Sequence, residues 1–199
     1  MRILKIIVFS FFLTSFLHSE PNNKILMVIA FDQFRDEEYS IPKKILENNG
    51  YKVVVASYKT GIAKGMLGSK VKVDIPLEDV KVNEYDGVIF VGGSGASIYF
   101  NNKNAFKIAN EFYSKGKIVG GICIAPVILA NAGLLSGKKA TCWPSYEKTL
   151  KEKGVIWSDK NVEIDGSIIT GNGPAAANEF GEKYLKLLKS KWENYFPYY

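Results

Sequence analysis

The stretch Ile118-Val-Gly-Gly-Ile-Cys-Ile-Ala-Pro126 begins as an apolar strand pattern and changes into a helical one with no loop residues between the two. The small residues around Cys123 allow a sharp turn, and Pro126 suits the first turn of a helix, where its missing N–H costs no hydrogen bond. We therefore expect Cys123 on a tight, strained turn at a helix N-terminus, where free N–H groups would lower the pKa of its thiol. The alternative is an inert, buried cysteine.

On both sides of this turn, short runs rich in β-branched residues alternate with helical patterns. Strands are predicted at residues 24–30, 51–57, 70–74, 87–91, 117–122, 139–142, 162–164 and 167–170, and helices at 41–49, 104–115, 125–132, 145–153 and 175–191. This alternation, within 199 residues, predicts one α/β domain with a mostly parallel central sheet and helices on both faces.

Three connections are interpreted from their turn residues. Pro42 is placed in the first turn of its helix, which leaves residues 32–40 as the loop and entry before it. The glycine-rich segment 61–68 is interpreted as a turn, and Asp165-Gly166 predicts a two-residue hairpin.

Several groups that can bind or react follow the predicted strands directly. Ligands bind at the carboxyl ends of the strands in sheets of this kind, so we expect these groups along one edge. They are Glu37 and Glu38, Gly92-Gly93, Cys123, Cys142-Trp143, and Gly171-Asn-Gly-Pro174.

The first residues have the composition of a secretory leader. A basic start (Arg2, Lys5) precedes an apolar run from Ile6 to Leu17, and Ser19 suits the last position before cleavage. We therefore expect residues 1–19 to be a signal peptide and the protein to be exported, to the periplasm or outside the cell. The run is too short for a stable membrane span; a buried first strand or an uncleaved anchor are the alternatives.

Two further features of composition restrict the function. The single histidine, His18, lies in the predicted leader, which nearly excludes a zinc site and excludes a Cys-His or Ser-His pair in the mature chain. The net charge of +6 comes from scattered lysines without interleaved aromatic residues, so we expect no nucleic-acid partner. We expect no metal, because the mature chain would lack histidine. The aromatic tail, residues 191–199, could pack on the surface or against a partner.

Five ordered segments carry a family resemblance. They are Arg35-Asp-Glu-Glu-Tyr-Ser-Ile-Pro42, Asp86-Gly-Val-Ile-Phe-Val-Gly-Gly-Ser-Gly95, Ile122-Cys-Ile-Ala-Pro126, Ala130-Asn-Ala-Gly-Leu-Leu135, and Ile168-Ile-Thr-Gly-Asn-Gly-Pro174 with Glu179-Phe180. Together they resemble the DJ-1/PfpI superfamily, and we assign residues 24–190 to such a domain. The resemblance implies a flavodoxin-like sandwich that forms a homodimer.

The resemblance also implies a reactive centre. In such proteins the cysteine at the turn, here Cys123, is paired with a glutamate four residues before a proline, here Glu38, which would move protons. The backbone N–H groups of Gly93 and Ile124 would face the reacting oxygen. Gly92, Trp143, Gly173 and Pro174 would complete the pocket. From the residues alone, Glu38 could instead supply charge at a helix N-terminus, as could Asp36 or Glu37.

Other interpretations of single residues stay open. A phosphate-binding loop at Gly92-Gly93 lacks the lysine and hydroxyl of a Walker pattern. Trp143 could line the pocket or seal the edge of the core, but it cannot act as a base. We expect Cys142 to be a free thiol in a strand, because a disulfide to Cys123 requires a narrow range of geometry.

Three functions are compatible with this centre. The first is a cofactor-independent enzyme acting on small reactive carbonyls, similar to the glyoxalases and deglycases of the superfamily. The second is a redox-sensing or chaperone-like stress protein that works through oxidation of Cys123. A cysteine peptidase or amidase is less well supported, because peptidase members have histidine where this chain has Ile124.

Overall fold

The computed structural model describes residues 22–195, with side chains as far as residue 191. The predicted signal peptide, residues 1–19, and residues 196–199 of the aromatic tail lie outside the described part. The strands are β1 (Lys24–Val28), β2 (Asp32–Phe34), β3 (Lys52–Ser57), β4 (Gly61–Gly65), β5 (Lys70–Val73), β6 (Ile75–Pro76), β7 (Gly87–Phe90), β8 (Ile118–Ile122), β9 (Lys139–Ala140), β10 (Ile156–Trp157), β11 (Val162–Asp165) and β12 (Ile168–Gly171). The helices are α1 (Asp36–Asn48), α2 (Lys103–Ser114), α3 (Pro126–Asn131), α4 (Glu147–Glu152) and α5 (Ala177–Tyr195).

A seven-stranded sheet forms the centre of the fold, in the order β11-β12-β8-β7-β1-β3-β6. Every neighbouring pair is parallel except β11 and β12, which confirms the mostly parallel sheet. Alternate residues of β1 enter different layers of the core. Ile25 and Met27 pack with α1 and α5, whereas Leu26 and Val28 pack with α2 and α3. Helices therefore cover both faces, as predicted. Within residues 22–195, none of the helices combines the length and apolar character that crossing a membrane requires.

The region before α1 differs from the prediction. The helix begins at Asp36 and not at residue 41, and part of the predicted loop forms β2. Three acidic residues occupy the first turn of α1, where the helix dipole favours negative charge. Pro42 thus lies inside the helix, where it cannot donate to the carbonyl of Glu38. The placement of Pro42 in the first turn was wrong, because proline in a helix interior is tolerated when packing supports it.

Two further predictions of local structure were also wrong. Residues 61–65 are a strand, β4, which pairs with β5 in a hairpin beside β2. β9 pairs with β10 in a small sheet of its own and does not join the central sheet. The hairpin between β11 and β12 is as predicted, with Asp165 opposite Ile168 and Gly166 at φ +61°.

The helix that carries Glu38 is positioned by α5. A side chain at Gly181 would bring its Cβ to 2.7 Å from Cδ1 of Ile45 and 3.1 Å from Cα of Pro42. The two helices can approach this closely only because residue 181 is glycine.

Candidate active site

Cys123 lies on the turn between β8 and α3, as its sequence context predicted. Its φ of +61° is a conformation that residues with a side chain rarely adopt. Two backbone hydrogen bonds hold it there: its N–H donates to Gly171 O at 2.9 Å, and its carbonyl accepts from Trp143 N at 2.8 Å. Its side chain is 8% exposed. Strand β12 and the segment that follows β9 therefore hold the backbone of this turn in place.

Glu38 reaches the thiol from the first turns of α1. Its side chain is fully buried beside Cys123 and accepts the N–H of Gly92 at 3.1 Å through Oε2. A Cβ at position 92 would lie 2.5 Å from Cβ of Cys123 and 2.6 Å from Oε2 of Glu38. Glycine at position 92 is therefore what allows the carboxyl group and the thiol to meet.

The three acidic residues of this helix turn have three different partners. Asp36 accepts the backbone N–H groups of Leu67 and Ser69 at 2.8 and 2.9 Å. Glu37 forms an ion pair with Arg35, with Oε2 2.8 Å from Nε. Of the three, Glu38 is the residue that lies beside the thiol.

The pKa values of the pair follow from burial and mutual contact. Burial raises the pKa of Glu38 to about 7, against the opposite effect of its hydrogen bonds with Cys123 and Gly92. Burial also raises the pKa of the Cys123 thiol to about 12, and the negative charge of Glu38 adds to this. The expected lowering of the thiol pKa was therefore wrong: burial and the carboxylate outweigh the N–H groups of Gly93 and Ile124. The thiol and the carboxyl group share protons as one unit.

The two predicted backbone donors lie beside the thiol. The N–H groups of Gly93 and Ile124 both act to lower the pKa of Cys123. Gly93 has φ +93°, and a side chain there would collide with the backbone of Gln33 and Arg35. The Gly92 carbonyl in turn accepts the N–H of Arg35 at 3.0 Å, which ties the glycine loop to the start of α1. Donors in this place can stabilise an oxygen that develops negative charge beside the sulfur.

A cavity of about 350 Å³ opens above the thiol. Cys123, Gly93, Ile124, Trp143 and Pro174 line it, all residues that the sequence had indicated. Gly92 lies behind this lining between Cys123 and Glu38, and Gly173 lies behind Trp143, with the ideal Cβ position 2.9 Å from Cε3 of the indole. Six further lining residues were not predicted from the sequence: Arg35, Met66, Ser94, Ser97, Ser145 and Tyr146.

Met66 reaches the cavity from the turn between β4 and β5. The turn is held by Asp36, which accepts the N–H groups on either side of Gly68, and by the N–H of Met66, which donates to Phe34 O at 2.9 Å. Burial alone would raise the pKa of Asp36, but its hydrogen bonds from Ser69 and Leu67 outweigh it and lower the pKa. In the sequence, the acidic Asp36 two positions before Glu38 is the one sign of this contact. No pattern indicates that Asp36 binds the turn between β4 and β5.

Cys142 is a free thiol, and so is Cys123. Cys142 is fully buried in the layer formed with α2 and α3, whereas Cys123 packs in the layer formed with α1 and α5. Its Sγ donates to the carbonyl of Trp143 at 3.3 Å. Although β9 is outside the central sheet, the residues after it still reach the edge of that sheet through Trp143.

Comparisons with known proteins identify the group to which the chain belongs. A protein of Methanocaldococcus jannaschii described as uncharacterized is 43% identical over 175 residues, covering 86% of this chain and 85% of that protein. A deglycase of Pyrococcus abyssi is 34% identical, covering 82% of this chain and 99% of the deglycase. The crystal structure of a ThiJ/PfpI domain protein from Brachyspira murdochii superposes with a TM-score of 0.84 at 35% identity, covering 86% of this chain and 99% of that one.

The flavodoxin-like fold is thereby confirmed. The model of the DJ-1/PfpI family matches residues 23–187, which is most of the sequence, so the chain belongs to the DJ-1/PfpI family.

Proposed function

We propose that the protein acts on small reactive carbonyl compounds through Cys123 and Glu38, without a cofactor. The observation that carries this proposal is the contact between a thiol and a buried carboxyl group whose pKa is about 7, at the base of a cavity. A group with this pKa can both accept and donate a proton near neutral pH. The similarity to a protein named as a deglycase supports the same chemistry.

For a 2-oxoaldehyde, the reaction begins when Sγ of Cys123 bonds to the aldehyde carbon. The thiol proton passes through Glu38 to the carbonyl oxygen, which the Gly93 and Ile124 amides stabilise as it gains charge. Glu38 then removes the proton from the former aldehyde carbon and returns it to the neighbouring carbon, while the hydroxyl proton on the first carbon passes to the oxygen of the second. One carbon is oxidised and the other reduced, leaving a thioester of a 2-hydroxy acid. Water hydrolyses the thioester, releasing the acid and restoring the thiol.

Deglycation would use the same first bond. The thiol attacks the carbon that joins a glyoxal unit to an amine, that carbon–nitrogen bond breaks, and the amine leaves with a proton supplied by Glu38. The carbonyl unit remains on Cys123 as a thiohemiacetal and follows the steps above.

Consumption of methylglyoxal by purified protein tests this proposal. Cys123→Ser and Glu38→Gln should each lower kcat/KM by about 1,000-fold or more, because each removes a group that reacts or moves protons. Cys142→Ala and Glu47→Gln are matched controls away from the cavity and should keep the wild-type rate. The proposal fails if both site variants retain that rate.

Redox sensing through Cys123 is the second candidate. The sulfur borders an open cavity, and the Gly93 and Ile124 amides that contact it could also hold the oxygens of a sulfinate. Intact-mass measurement after mild peroxide treatment separates the two candidates. A stable gain of two oxygens at Cys123 in a protein that consumes no aldehyde favours sensing. Peptidase or amidase activity is less well supported, because residues 22–195 contain no histidine to act as base.

We also propose that residues 1–19 are removed on export and that the mature protein works as a homodimer in the periplasm or outside the cell. The basic start and short apolar run support the first part, and the family resemblance supports the second. N-terminal sequencing of protein from the exported fraction, and its mass in solution, test both parts. A mature protein that still begins at Met1 contradicts the first, and a monomeric mass contradicts the second.

A further inference from the structure

The walls of the cavity above Cys123 are mixed in character. The lining combines apolar side chains (Met66, Ile124, Trp143 and Pro174) with Arg35 and the hydroxyl-bearing Ser94, Ser97, Ser145 and Tyr146. A volume of about 350 Å³ is at the low end of the roughly 300–1,000 Å³ found for pockets that hold drug-sized ligands. Methylglyoxal is only a few times larger than a water molecule, which occupies about 30 Å³ in the liquid. It would leave most of the apolar lining in contact with water.

Trp143 is a preformed wall of this cavity. The backbone of Gly173 packs against one edge of the indole, and the backbone of Trp143 is held by hydrogen bonds to Cys123 and Tyr146 at 2.8 and 2.9 Å. Tyr146 is fixed in turn by an edge-to-face contact with Phe100, with ring centroids 5.6 Å apart. The indole is nevertheless 43% exposed. The indole of Trp143 therefore presents a large exposed aromatic surface beside the thiol, and the backbone of the same residue is held in place.

The cation in the lining, Arg35, is already paired with a carboxylate and is therefore a poor partner for an anionic substituent. Arg35 is the cation of this lining, and its guanidinium is engaged by both carboxylate oxygens of Glu37, at 2.8 and 3.0 Å. An anionic group on the substrate would compete with Glu37 for Arg35. The hydroxyl groups of the serines and tyrosine can instead bind the neutral oxygens of a carbonyl compound.

From these features we infer that the substrates are 2-oxoaldehydes with a neutral, flat hydrophobic substituent, which packs on Trp143 while the aldehyde carbon meets Cys123. This inference rests on the proposed carbonyl chemistry and names the substrate class for it. An arylglyoxal such as phenylglyoxal fits this description. The reaction keeps the balance given above: water is added overall, the aldehyde carbon is oxidised, the ketone carbon is reduced, and an aryl 2-hydroxy acid is released.

The ratio of kcat/KM for phenylglyoxal to that for methylglyoxal measures the role of Trp143. Trp143→Leu should lower this ratio about 10-fold, because it removes the flat surface on which the aryl group packs but keeps apolar bulk. Trp143→Phe should retain most of the ratio. Tyr58→Leu, which replaces an exposed aromatic residue outside the cavity, should leave the ratio unchanged. An unchanged ratio in Trp143→Leu overturns the inference.

Binding to the inactive Cys123→Ser protein separates this inference from the proposed function. Calorimetry should show mandelamide, a neutral analogue of the aryl product, binding at least 10-fold more tightly than lactamide. The difference should disappear in Cys123→Ser/Trp143→Leu. If the wild-type protein consumes neither glyoxal but this difference is found, the aromatic subsite stands and the proposed function fails. Equal affinity, or no binding of either amide, overturns the subsite even if methylglyoxal is consumed.

Discussion

Cys123 and Cys142 are the two thiols of the chain, and their surroundings are opposite. Both are buried, and burial raises the pKa of each to about 12. Cys123 lies on a strained turn beside a carboxyl group, two backbone N–H donors and an open cavity. Cys142 is packed in the other layer of the core, and its Sγ contacts the carbonyl of Trp143. Burial and pKa alone therefore do not distinguish a reactive cysteine from an inert one.

The difference lies in proton transfer and access. Glu38 can take the proton of Cys123 within the site, so the thiol need not ionise against solvent before it reacts. No such carboxyl group is hydrogen-bonded to Cys142 among the described residues. Cys123 therefore differs from Cys142 in the carboxyl group beside it and the cavity above it, and not in burial or pKa.

Selective alkylation is the largest expected effect. Iodoacetamide should modify Cys123 at least about 100-fold faster than Cys142, because reagent can enter the cavity whereas Cys142 must wait for local opening of the core. Peptide mass spectrometry over time measures both rates. Equal rates would remove the distinction between the two thiols.

The pH dependence of stability should report on Glu38. Its pKa is raised from 4.5 to about 7 in the folded protein, so the folded state holds this proton more tightly than the unfolded chain. The stability from this group is fully present below pH 4.5 and is lost as the pH rises through 7, a loss of about 3 kcal/mol. Urea unfolding across this range should show the loss in wild type and not in Glu38→Gln. If the free energy of unfolding depends on pH in the same way in both proteins, the raised pKa of Glu38 is contradicted.

Removal of the Glu38 charge should change the two thiols differently. The charge of Glu38 contributes to the raised pKa of Cys123, so Glu38→Gln should lower that pKa and make alkylation of Cys123 about 10-fold faster at mildly alkaline pH. Catalytic turnover should fall in the same variant, since the proton carrier is lost. Alkylation of Cys142 is the internal control and should stay constant. Slower alkylation of Cys123 would mean that Glu38 assists ionisation of the thiol more than its charge opposes it.

The smallest effect concerns packing. Cys142→Ala should lower the free energy of unfolding by about 1–2 kcal/mol, because it opens a void in a fully buried layer and removes the contact with Trp143 O. Cys123→Ala should cost less, since Sγ already borders a cavity. Both losses of unfolding free energy are measured by urea unfolding at a pH below the raised pKa of Glu38, where that carboxyl group is protonated. A larger loss for Cys123→Ala would show that its thiol supports the fold.

Much of this site could be predicted from the sequence, because local patterns determine it. The strand-to-helix change fixes the turn at Cys123, and the order of the strands places Glu38 and the Gly92-Gly93 loop at the same edge. The family resemblance then singled out Glu38 among three adjacent acids.

The remaining features depend on contacts between distant segments. The direction of the thiol pKa was wrong because burial and the charge of Glu38 arise only after folding. The start of α1 was missed because Pro42 is tolerated through its packing with α5, about 140 residues away in sequence. The wall formed by Met66 depends on Asp36 holding a turn thirty residues later, which no local pattern indicates.

The close packing at Gly181 has a consequence for how variants of this protein should be judged. Position 181 belongs to no motif of the reactive centre, yet a side chain there would meet Pro42 and Ile45 of α1, the helix that carries Glu38. A substitution at this position would therefore act on the reactive centre through the position of α1. In such variants, the distance between α1 and α5 is a better indication of activity than the presence of Cys123 and Glu38 alone.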